Sequence, residues 1–477
     1  MEKIIGREKE MAEVRKCYGS NRSEFVIVYG RRRIGKTFLV NSMFAGKYDF
    51  YFTGMHKVEA ERQLRKFAVT LQEYGKWPFP PELNDWFDAF RALQTLLSAK
   101  PRKRRKLVFI DEMPWIDTEG SDFVAALEDF WNGWAAQRDD ICLIACGSAT
   151  AWMTDHLVEN QGGLHNRITS KIYLRPFCLA ECEQYLRSHS CLWDRYQILQ
   201  CYMYMGGVPF YLSLLDYQKS IAQNVDQLFF QAGGMLSKEF DELYGALFQG
   251  ADSYIQLVRL LAERQDGMTR QELLDRTGIQ GRRLTTMLAN LESSDFIIGY
   301  SRFGSKKKGI IYRLKDFYTL FYLRFIEGVR TQSEPYWVFK VNRAEVLSWQ
   351  GFSFELICLT HLNQIKQRLG LTAIQTYASS WRSSKTADST GTQIDLLIDR
   401  ADRMINLCEA KFSTQPYTIT REYADKLRMR MAIFNQETKN RRPLLPTMIT
   451  TYGVLPSVNS GIVQAEVTMD HLFAPTV

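Results

Sequence analysis

One eight-residue segment carries glycine, lysine and threonine at spacings suited to binding phosphate. Residues 30–37 fit the pattern G-x-x-x-x-G-K-[ST] and are, in order, Gly30, Arg31, Arg32, Arg33, Ile34, Gly35, Lys36 and Thr37. The glycines let backbone N–H groups converge on phosphate oxygens, and the helix that follows from Phe38 favours negative charge at its N-terminus. Lys36 can reach the β- and γ-phosphates, while the Thr37 hydroxyl can bind Mg²⁺. The segment, together with Phe38 directly after it, predicts a nucleoside triphosphate site.

A second segment ends in two adjacent carboxylates. The apolar run Leu107-Val-Phe-Ile110 precedes Asp111 and Glu112, as expected for a buried strand with acidic side chains at its end. We expect Asp111 to bind Mg²⁺ through Thr37 or water, and Glu112 to polarise a water molecule that attacks the nucleotide. A purely structural alternative is a loop after an edge strand. A glutamate beside the metal-binding aspartate favours hydrolysis of the nucleotide.

Two polar residues further along the chain are candidates for contact with the terminal phosphate. Ser148 follows the apolar run Ile141-Cys-Leu-Ile-Ala145, and at a strand end it can contact the γ-phosphate or position water. The alternative role of Ser148 is to cap the following helix. Arg167 can act as an arginine finger towards its own nucleotide or that of a neighbouring copy. The alternative for Arg167 is an exposed surface arginine.

The elements that must position these residues are strands and helices in alternation. From Glu24 to about Pro209, short apolar runs alternate with helical stretches. The runs at residues 25–29, 107–110 and 141–145 are nearly all apolar, which is typical of strands that helices bury on both faces. We therefore predict a parallel α/β sheet. A basic run just before the second strand, at residues 100–106, indicates a solvated loop.

Three further short segments resemble elements of a known ATPase family. Residues 5–8 resemble the G-R-E box that AAA+ and STAND-type ATPases place beside adenine, and residues 206–209 resemble their G-G-x-P element. Together with Arg175-Pro176-Phe177, these segments are similar to the archaeal-type P-loop ATPase family. The resemblance implies ATP as the nucleotide, since no N-K-x-D guanine motif occurs. It also implies that the following residues lie near the nucleotide: Ile5, Gly6, Arg7, Gly207 and Pro209.

The pattern of residues 251–314 predicts three helices and a short hairpin, the arrangement of a winged helix-turn-helix. Leu284, Leu288 and Leu291 recur at the spacing of a core-facing helix. The residues that can contact DNA phosphates are Arg282, Arg283, Arg302, Lys306, Lys307 and Lys308. Lysines at a hairpin tip also keep the tip soluble. In STAND-type ATPases, moreover, the winged helix often packs against the nucleotide domain without touching DNA.

The C-terminal region carries acidic residues and a lysine at the spacing D…E-x-K. Asp395 lies in the apolar run at residues 394–398, and Glu409 and Lys411 end the next run. On a strand, Glu409 and Lys411 share a face because side chains alternate. Asp395 from the neighbouring strand can join Glu409 in binding one or two divalent ions, Mg²⁺ or Mn²⁺. Lys411 can orient or help to deprotonate the attacking water.

This C-terminal layout resembles the PD-(D/E)xK restriction-endonuclease-like domains, and Glu355 on the preceding helix completes the set. The archaeal-type ATPase family often carries a C-terminal nuclease-like domain with an E-A-K element. The resemblance implies catalytic roles in metal-dependent DNA cleavage for Glu355, Asp395, Glu409 and Lys411. The alternative is a fold retained for binding DNA or a partner after cleavage was lost.

The predicted architecture is a multidomain α/β chain. We expect a P-loop ATPase core with a parallel sheet over residues 1–200 and a helical lid over 201–250. A winged helix over 251–332 and a restriction-endonuclease-like α/β domain over 333–477 follow. A chain of 477 residues is too long for one ordinary core, which agrees with this division.

Composition narrows the class of protein and its location. The net charge of +8 is compatible with DNA as a partner, although charge alone does not establish DNA binding. The nine cysteines are scattered, so we expect neither a disulfide framework nor a zinc site. No stretch approaches the ~20 apolar residues that span a bilayer, and the start lacks the features of a signal peptide. We expect a cytoplasmic protein that does not enter a membrane.

Two principal functions are consistent with these residues. The first is an ATP-hydrolysing switch, with ATP and Mg²⁺ bound, that controls a DNA-binding and nuclease-like C-terminal module. The second is a regulatory or signalling ATPase whose C-terminal domain is a non-cleaving scaffold for DNA or protein. A third, a transcription regulator, would use the winged helix for specific duplex binding. A homo-oligomer is expected wherever Arg167 acts on a neighbouring copy.

Overall fold

The chain is described at residues 4–102, 104–158, 162–164, 166–304, 309–383 and 392–475 by a computed structural model. At Asp395 the backbone alone is described, so the predicted metal contact of this side chain lies outside the described part of the chain, as do Lys306, Lys307 and Lys308. The residues divide into one unit of Met1–Pro176 with Gly245–Gln249, and another of Phe177–Tyr244 with Gly250–Val477. The predicted domain boundaries at 200, 250 and 332 stay predictions.

The first unit is built on five strands joined by helices. The strands are β1 (Glu24–Tyr29), β2 (Phe50–Thr53), β3 (Lys106–Asp111), β4 (Ile141–Gly147) and β5 (Ser170–Tyr173). The helices are α1 (Glu8–Tyr18), α2 (Lys36–Phe44), α3 (Ala60–Gly75), α4 (Trp86–Ser98), α5 (Phe123–Gly133) and α6 (Thr150–Met153). All neighbouring strands are parallel, in the order β2-β3-β4-β1-β5. The predicted parallel α/β sheet is confirmed.

The continuous apolar runs arise because helices cover both faces of this sheet. Along β1, Phe25 and Ile27 belong to the hydrophobic core on one face, whereas Val26 and Val28 belong to the core on the other. The residues of β4 alternate between the same two cores. Because successive side chains of a strand point to opposite faces, a sheet buried on both sides requires an apolar residue at every position.

The second unit begins with helices and continues with a small mixed segment. The helices are α7 (Leu179–Ser188), α8 (Arg195–Met205), α9 (Pro209–Ser213), α10 (Ile221–Val225) and α11 (Glu239–Leu247), whose last residues belong to the first unit. Next come α12 (Ala251–Ala262), β6 (Met268–Thr269), α13 (Arg270–Thr277), α14 (Gly281–Ser293), β7 (Ile297–Tyr300) and β8 (Ile311–Leu314). The three strands are antiparallel in the order β6-β8-β7. Leu284, Leu288 and Leu291 are buried.

The C-terminal part of the second unit forms a mixed five-stranded sheet with helices. The elements are α15 (Phe317–Phe321), α16 (Trp337–Lys340), α17 (Ala344–Thr360), α18 (Leu362–Arg368), β9 (Thr376–Arg382), β10 (Gln393–Arg400), β11 (Ile405–Lys411), α19 (Arg421–Thr438), β12 (Leu444–Thr450), β13 (Ala465–Thr468) and α20 (Met469–Leu472). Strands β9, β10 and β11 are antiparallel neighbours, and β12 and β13 continue the sheet in parallel. Across the described parts of the chain, none of the helices has the length and apolar character needed to cross a membrane.

Two sets of contacts join segments of the second unit. The buried Asp226 carboxylate accepts hydrogen bonds from the backbone N–H groups of Tyr336, Trp337 and Val338 at 2.6–3.1 Å, which caps α16. The segment after β7 reaches the C-terminal sheet, where the Phe303 N–H donates to the Ser380 carbonyl of β9 at 2.9 Å.

The basic run before β3 is only partly a solvated loop, since Arg102 and Arg104 are mostly exposed whereas its last two residues are not. Lys106 lies in β3 with no exposed side chain, and its Nζ lies 2.5 Å from the Asp140 carboxylate. Arg105 donates to backbone carbonyls that include those of Cys17 and Asp139. The interpretation as a solvated loop is therefore wrong for Lys106 and Arg105. Their charges hold chain segments together inside the first unit.

The Lys106–Asp140 pair generates a stability prediction. Replacing Asp140 with alanine leaves a buried ammonium without its carboxylate, which should lower the free energy of unfolding by about 3–5 kcal/mol. Urea unfolding of the variant measures this loss. The matched control is Asp139→Ala, at a neighbouring carboxylate that is 67% exposed and 3.9 Å from Arg102; it should change stability by no more than about 0.5 kcal/mol. Equal losses in the two variants would contradict the role given to the pair.

Candidate functional site

The loop between β1 and α2 is shaped by three residues with left-handed backbone. Gly30 has φ 142°, Arg33 has φ 71° and Gly35 has φ 85°. A Cβ atom on Gly30 would collide with the Leu174 carbonyl oxygen, so this position requires glycine. The loop therefore turns back on itself between the strand and the helix, as the pattern at residues 30–37 predicts.

Lys36 lies inside this loop rather than in solvent. Its side chain is buried, and its Nζ donates to the carbonyls of Gly30 at 3.0 Å and Arg31 at 2.9 Å. Burial lowers the pKa of Lys36 because the ammonium loses its hydration. A phosphate oxygen inside the loop would give the ammonium a negative partner, and the cradle therefore fits a nucleotide phosphate.

Thr37 and Asp111 bring the metal-binding residues together. The Thr37 hydroxyl donates to the Asp111 carboxylate at 2.8 Å, which joins the start of α2 to the end of β3. Burial, followed by the charge of Glu112, raises the pKa of Asp111 to about 6. A hydroxyl and a carboxylate in contact are oxygen ligands of the kind that Mg²⁺ prefers, so these residues fit the predicted ion.

Glu112 and Ser148 are also in contact. One Glu112 carboxylate oxygen accepts from the Ser148 hydroxyl at 2.7 Å and from the Ser148 N–H at 3.2 Å. The sheet order explains the contact, because β4 lies between β1 and β3 and its end therefore falls beside both the loop and the carboxylates. The helix after β4 has Ala149 as its N-cap, so Ser148 contacts Glu112 instead of capping that helix. Glu112 itself has left-handed backbone, with φ 47°.

The remaining nucleotide-site candidates of the first unit fall in different places. Arg7 is buried, and its Nη2 donates to the Arg175 carbonyl at 2.7 Å, so two segments of the family resemblance meet. Ile5 is buried, whereas Phe38 is exposed. Arg167 is exposed in the turn before β5.

Gly207 and Pro209 belong to the second unit, and their place at the nucleotide stays a prediction. The Phe177 N–H donates to the Gly207 carbonyl at 2.6 Å. A Cβ atom at Gly207 would collide with the Phe177 carbonyl oxygen, so the close approach of the two backbones requires glycine. Pro209 is at the start of α9, where its fixed φ suits the first turn of a helix.

The C-terminal candidates lie on the predicted elements, but Glu409 has protein partners. Asp395 is in β10, Glu409 and Lys411 are in β11, and Glu355 is on α17. One Glu409 carboxylate oxygen is 2.5 Å from Nη1 of Arg430, and the other accepts from the Tyr423 hydroxyl at 3.1 Å. Among the described residues no group of three or more histidine, cysteine or acidic side chains is arranged to hold a metal ion. In the described part of the chain, Arg430 and Tyr423 therefore occupy the positions beside Glu409 where an ion would bind.

No sequence pattern indicated a role for Arg430 or Tyr423. Both lie on α19, the helix that links β11 to β12, and seven residues separate them. Two helical turns bring residues at this spacing to the same face. The spacing was visible in the sequence, but nothing in it indicated that this face of α19 lies against Glu409.

The raised pKa of Asp111 generates a prediction about stability and pH. In the folded protein Asp111 binds a proton below about pH 6, whereas its ordinary pKa is 3.8. Between these values the folded state binds more protons than the unfolded chain, so the free energy of unfolding falls as pH rises through this window. Asp111→Asn removes this cost. Without nucleotide or metal, the variant should be roughly 1–3 kcal/mol more stable than the wild type at pH 7.5, with the gain fading towards pH 4.

Urea unfolding at the two pH values measures this difference. The exposed carboxylate of Asp122 provides the control, since Asp122→Asn should change the free energy by at most about 0.5 kcal/mol at either pH. An Asp111→Asn variant less stable than the wild type at pH 7.5 would contradict the argument.

Several known proteins are similar to this chain over most of its length. An uncharacterized protein of Methanocaldococcus jannaschii, MJECL04, is 24% identical over 376 residues, which cover 76% of this chain and 78% of that protein. The Walker-type ATPase PABY2304 of Pyrococcus abyssi superimposes with a TM-score of 0.46 and 16% identity, over 67% of this chain and 96% of its own. The Aeropyrum pernix ORC2 protein in its ADPNP-ADP complexes gives a TM-score of 0.42 and 16% identity, over 67% and 93%.

One family profile matches the N-terminal part of the chain. The profile is that of the ATPase domain predominantly from Archaea, and it matches residues 4–215. This range contains the loop at residues 30–37, the contact of Thr37 with Asp111 and the contact of Glu112 with Ser148. Residues 4–215 are therefore similar to an archaeal-type ATPase domain.

Proposed function

We propose that the chain is an ATP-hydrolysing switch. The observation that carries the proposal is the set of contacts at one edge of the first sheet, where Lys36 lies within the loop, Thr37 contacts Asp111 and Glu112 contacts Ser148. Binding alone would need only the loop. A glutamate held beside the metal-binding aspartate provides a base for an attacking water as well.

Each residue has a distinct role in this proposal. The backbone N–H groups of residues 30–37 and the Lys36 ammonium bind the β- and γ-phosphates of ATP, and Thr37 and Asp111 hold Mg²⁺. The metal ion, when bound, neutralises charge on the phosphates. The family resemblance supports adenine as the base, and in this proposal Ile5, Gly6 and Arg7 lie near it.

Glu112 acts as the general base. It accepts a proton from the attacking water while the water oxygen bonds to the γ-phosphorus, and the bond to the bridging oxygen of ADP breaks, which releases ADP and inorganic phosphate. The two hydrogen bonds from Ser148 orient the Glu112 carboxylate and thereby link the end of β4 to catalysis. The proposal also includes a homo-oligomer in which the exposed Arg167 contacts the nucleotide of a second copy.

Glu112→Gln tests the base directly. The amide cannot accept the proton, so the steady-state rate of phosphate release should fall at least about 100-fold, while the affinity for ATP stays within a few fold. Phosphate release and binding of a fluorescent ATP analogue give the two numbers. The matched control, Glu119→Gln at an exposed position seven residues away, should keep the wild-type rate. Unchanged phosphate release in the Glu112 variant would refute the assignment.

We further propose that the second unit binds DNA and does not cut it. The exposed face of α14 includes Arg282 and Arg283, and the succession of α12, α13, α14 and the sheet of β6, β7 and β8 supports a winged helix. The order α17, β9, β10, β11, α19, β12 supports the restriction-endonuclease-like fold. Against cleavage stands the engagement of both Glu409 oxygens by α19, which favours a non-cleaving scaffold.

DNA binding through α14 has a salt signature. Replacing Arg282 and Arg283 together with alanine should weaken duplex binding and reduce the slope of log affinity against log salt by about 2, because each arginine neutralises one phosphate. Fluorescence anisotropy over a salt series measures both effects. The control replaces Arg15 and Lys16, an adjacent exposed basic pair on α1, and should leave the slope unchanged.

An identical slope in the α14 variant and the wild type would overturn the proposed interface. The cleavage hypothesis is decided on the same samples with ATP and either Mg²⁺ or Mn²⁺, in which DNA should remain intact. If the wild type cuts DNA and Asp395→Ala does not, the non-cleaving proposal is wrong and the nuclease hypothesis stands.

A further inference from the structure

Glu409 is a buried carboxylate whose surroundings supply a positive charge. It lies in β11 with 8% of its surface exposed, so most of its hydration has been removed. A buried carboxylate requires an opposite charge and hydrogen-bond donors in place of water. Two general solutions exist, a bound cation or a basic side chain of the protein itself.

The basic side chain here is Arg430. Its Nη1 lies 2.5 Å from one Glu409 oxygen, a charge-assisted contact, and the Tyr423 hydroxyl donates to the other oxygen at 3.1 Å. The Lys411 ammonium lies over the Tyr423 ring, 5.3 Å from the ring centroid. Both Glu409 oxygens thus have donors from α19, and two cationic groups lie within this cluster.

A divalent ion at Glu409 would compete with this arrangement. Ligand oxygens lie about 2.0–2.6 Å from Mg²⁺ or a similar ion, so an ion at either oxygen would displace a donor or stand beside the guanidinium. Like charges at such separations repel strongly where water is excluded. The ion could bind only after Arg430 had moved away.

We infer that Arg430 takes the place of a metal ion at Glu409 and excludes divalent cations from this carboxylate. This inference deepens the proposed non-cleaving function, since it names the residue that prevents metal binding. It makes no use of the ATPase site. Phosphate release from ATP therefore remains an independent measurement, and its outcome leaves this inference untouched.

Mn²⁺ binding to the full chain without nucleotide tests the inference, with free Mn²⁺ measured by electron paramagnetic resonance. The Mn²⁺ bound at Glu409 is the difference between the Mn²⁺ bound by a protein and the Mn²⁺ bound by the same protein carrying Glu409→Gln. All other Mn²⁺ sites are present in both proteins and cancel in this difference. Wild type and Glu409→Gln should bind Mn²⁺ equally. Arg430→Met should gain a site at least tenfold tighter than its Arg430→Met/Glu409→Gln counterpart, whereas Arg430→Lys, which keeps the charge, should gain none.

Thermal melting supplies a second readout. Arg430→Met leaves the buried carboxylate without its cation, so this variant should melt below the wild type, and Mn²⁺ should raise its melting temperature by several degrees more than that of the wild type. If Arg430→Met folds poorly, the Mn²⁺ affinities of the wild type and Glu409→Gln still test the inference, because neither protein carries that substitution. Wild type that binds Mn²⁺ tenfold more tightly than Glu409→Gln would overturn the inference. So would a folded Arg430→Met chain without the additional site.

Discussion

Removing a charged side chain from water is unfavourable unless an opposite charge or hydrogen-bond donors replace the lost hydration. This constraint governs the carboxyl edge of the first sheet, where Lys36 and Asp111 are both buried. Burial lowers the pKa of the ammonium and raises that of the carboxyl group, so each group is displaced towards its neutral form. The proposed triphosphate and its magnesium ion would supply an opposite charge to each group. On that proposal, binding would offset the cost of burying both charges.

The same constraint is met internally elsewhere in the chain. In β3 the buried Lys106 has Asp140 as its partner, and in β11 the buried Glu409 has Arg430. Such pairs are satisfied without a ligand and join elements that are distant in the sequence. A buried charged residue thus belongs to a structural ion pair when the fold places an oppositely charged side chain beside it. It can belong to a binding site when a ligand must provide that charge. The types and spacing of the residues in the sequence do not distinguish a binding site from a structural ion pair.

This difference explains how much the sequence could predict. The strands β1, β3 and β4 were predictable because burial on both faces makes them apolar throughout. Once these strands were predicted, the polar residues directly after them could be recognised as site candidates. The short strands β2 and β5 were missed, as was β9, in which exposed and buried residues do not alternate regularly. The contact of Ser148 with Glu112 depends on the strand order, and that of Arg430 with Glu409 on the packing of α19. Neither contact can be predicted from the spacing of residues along the chain.

The contact of Phe303 with Ser380 has a consequence for self-association. Strand β9 is at the edge of the C-terminal sheet, and an edge strand offers unpaired backbone groups to which another chain can add. The segment after β7 occupies part of that edge, because the Phe303 N–H bonds to the Ser380 carbonyl and the Phe303 ring packs against Phe434. The middle of the chain thus shields its own C-terminal sheet. A C-terminal fragment prepared alone would expose this edge and be prone to aggregate through it.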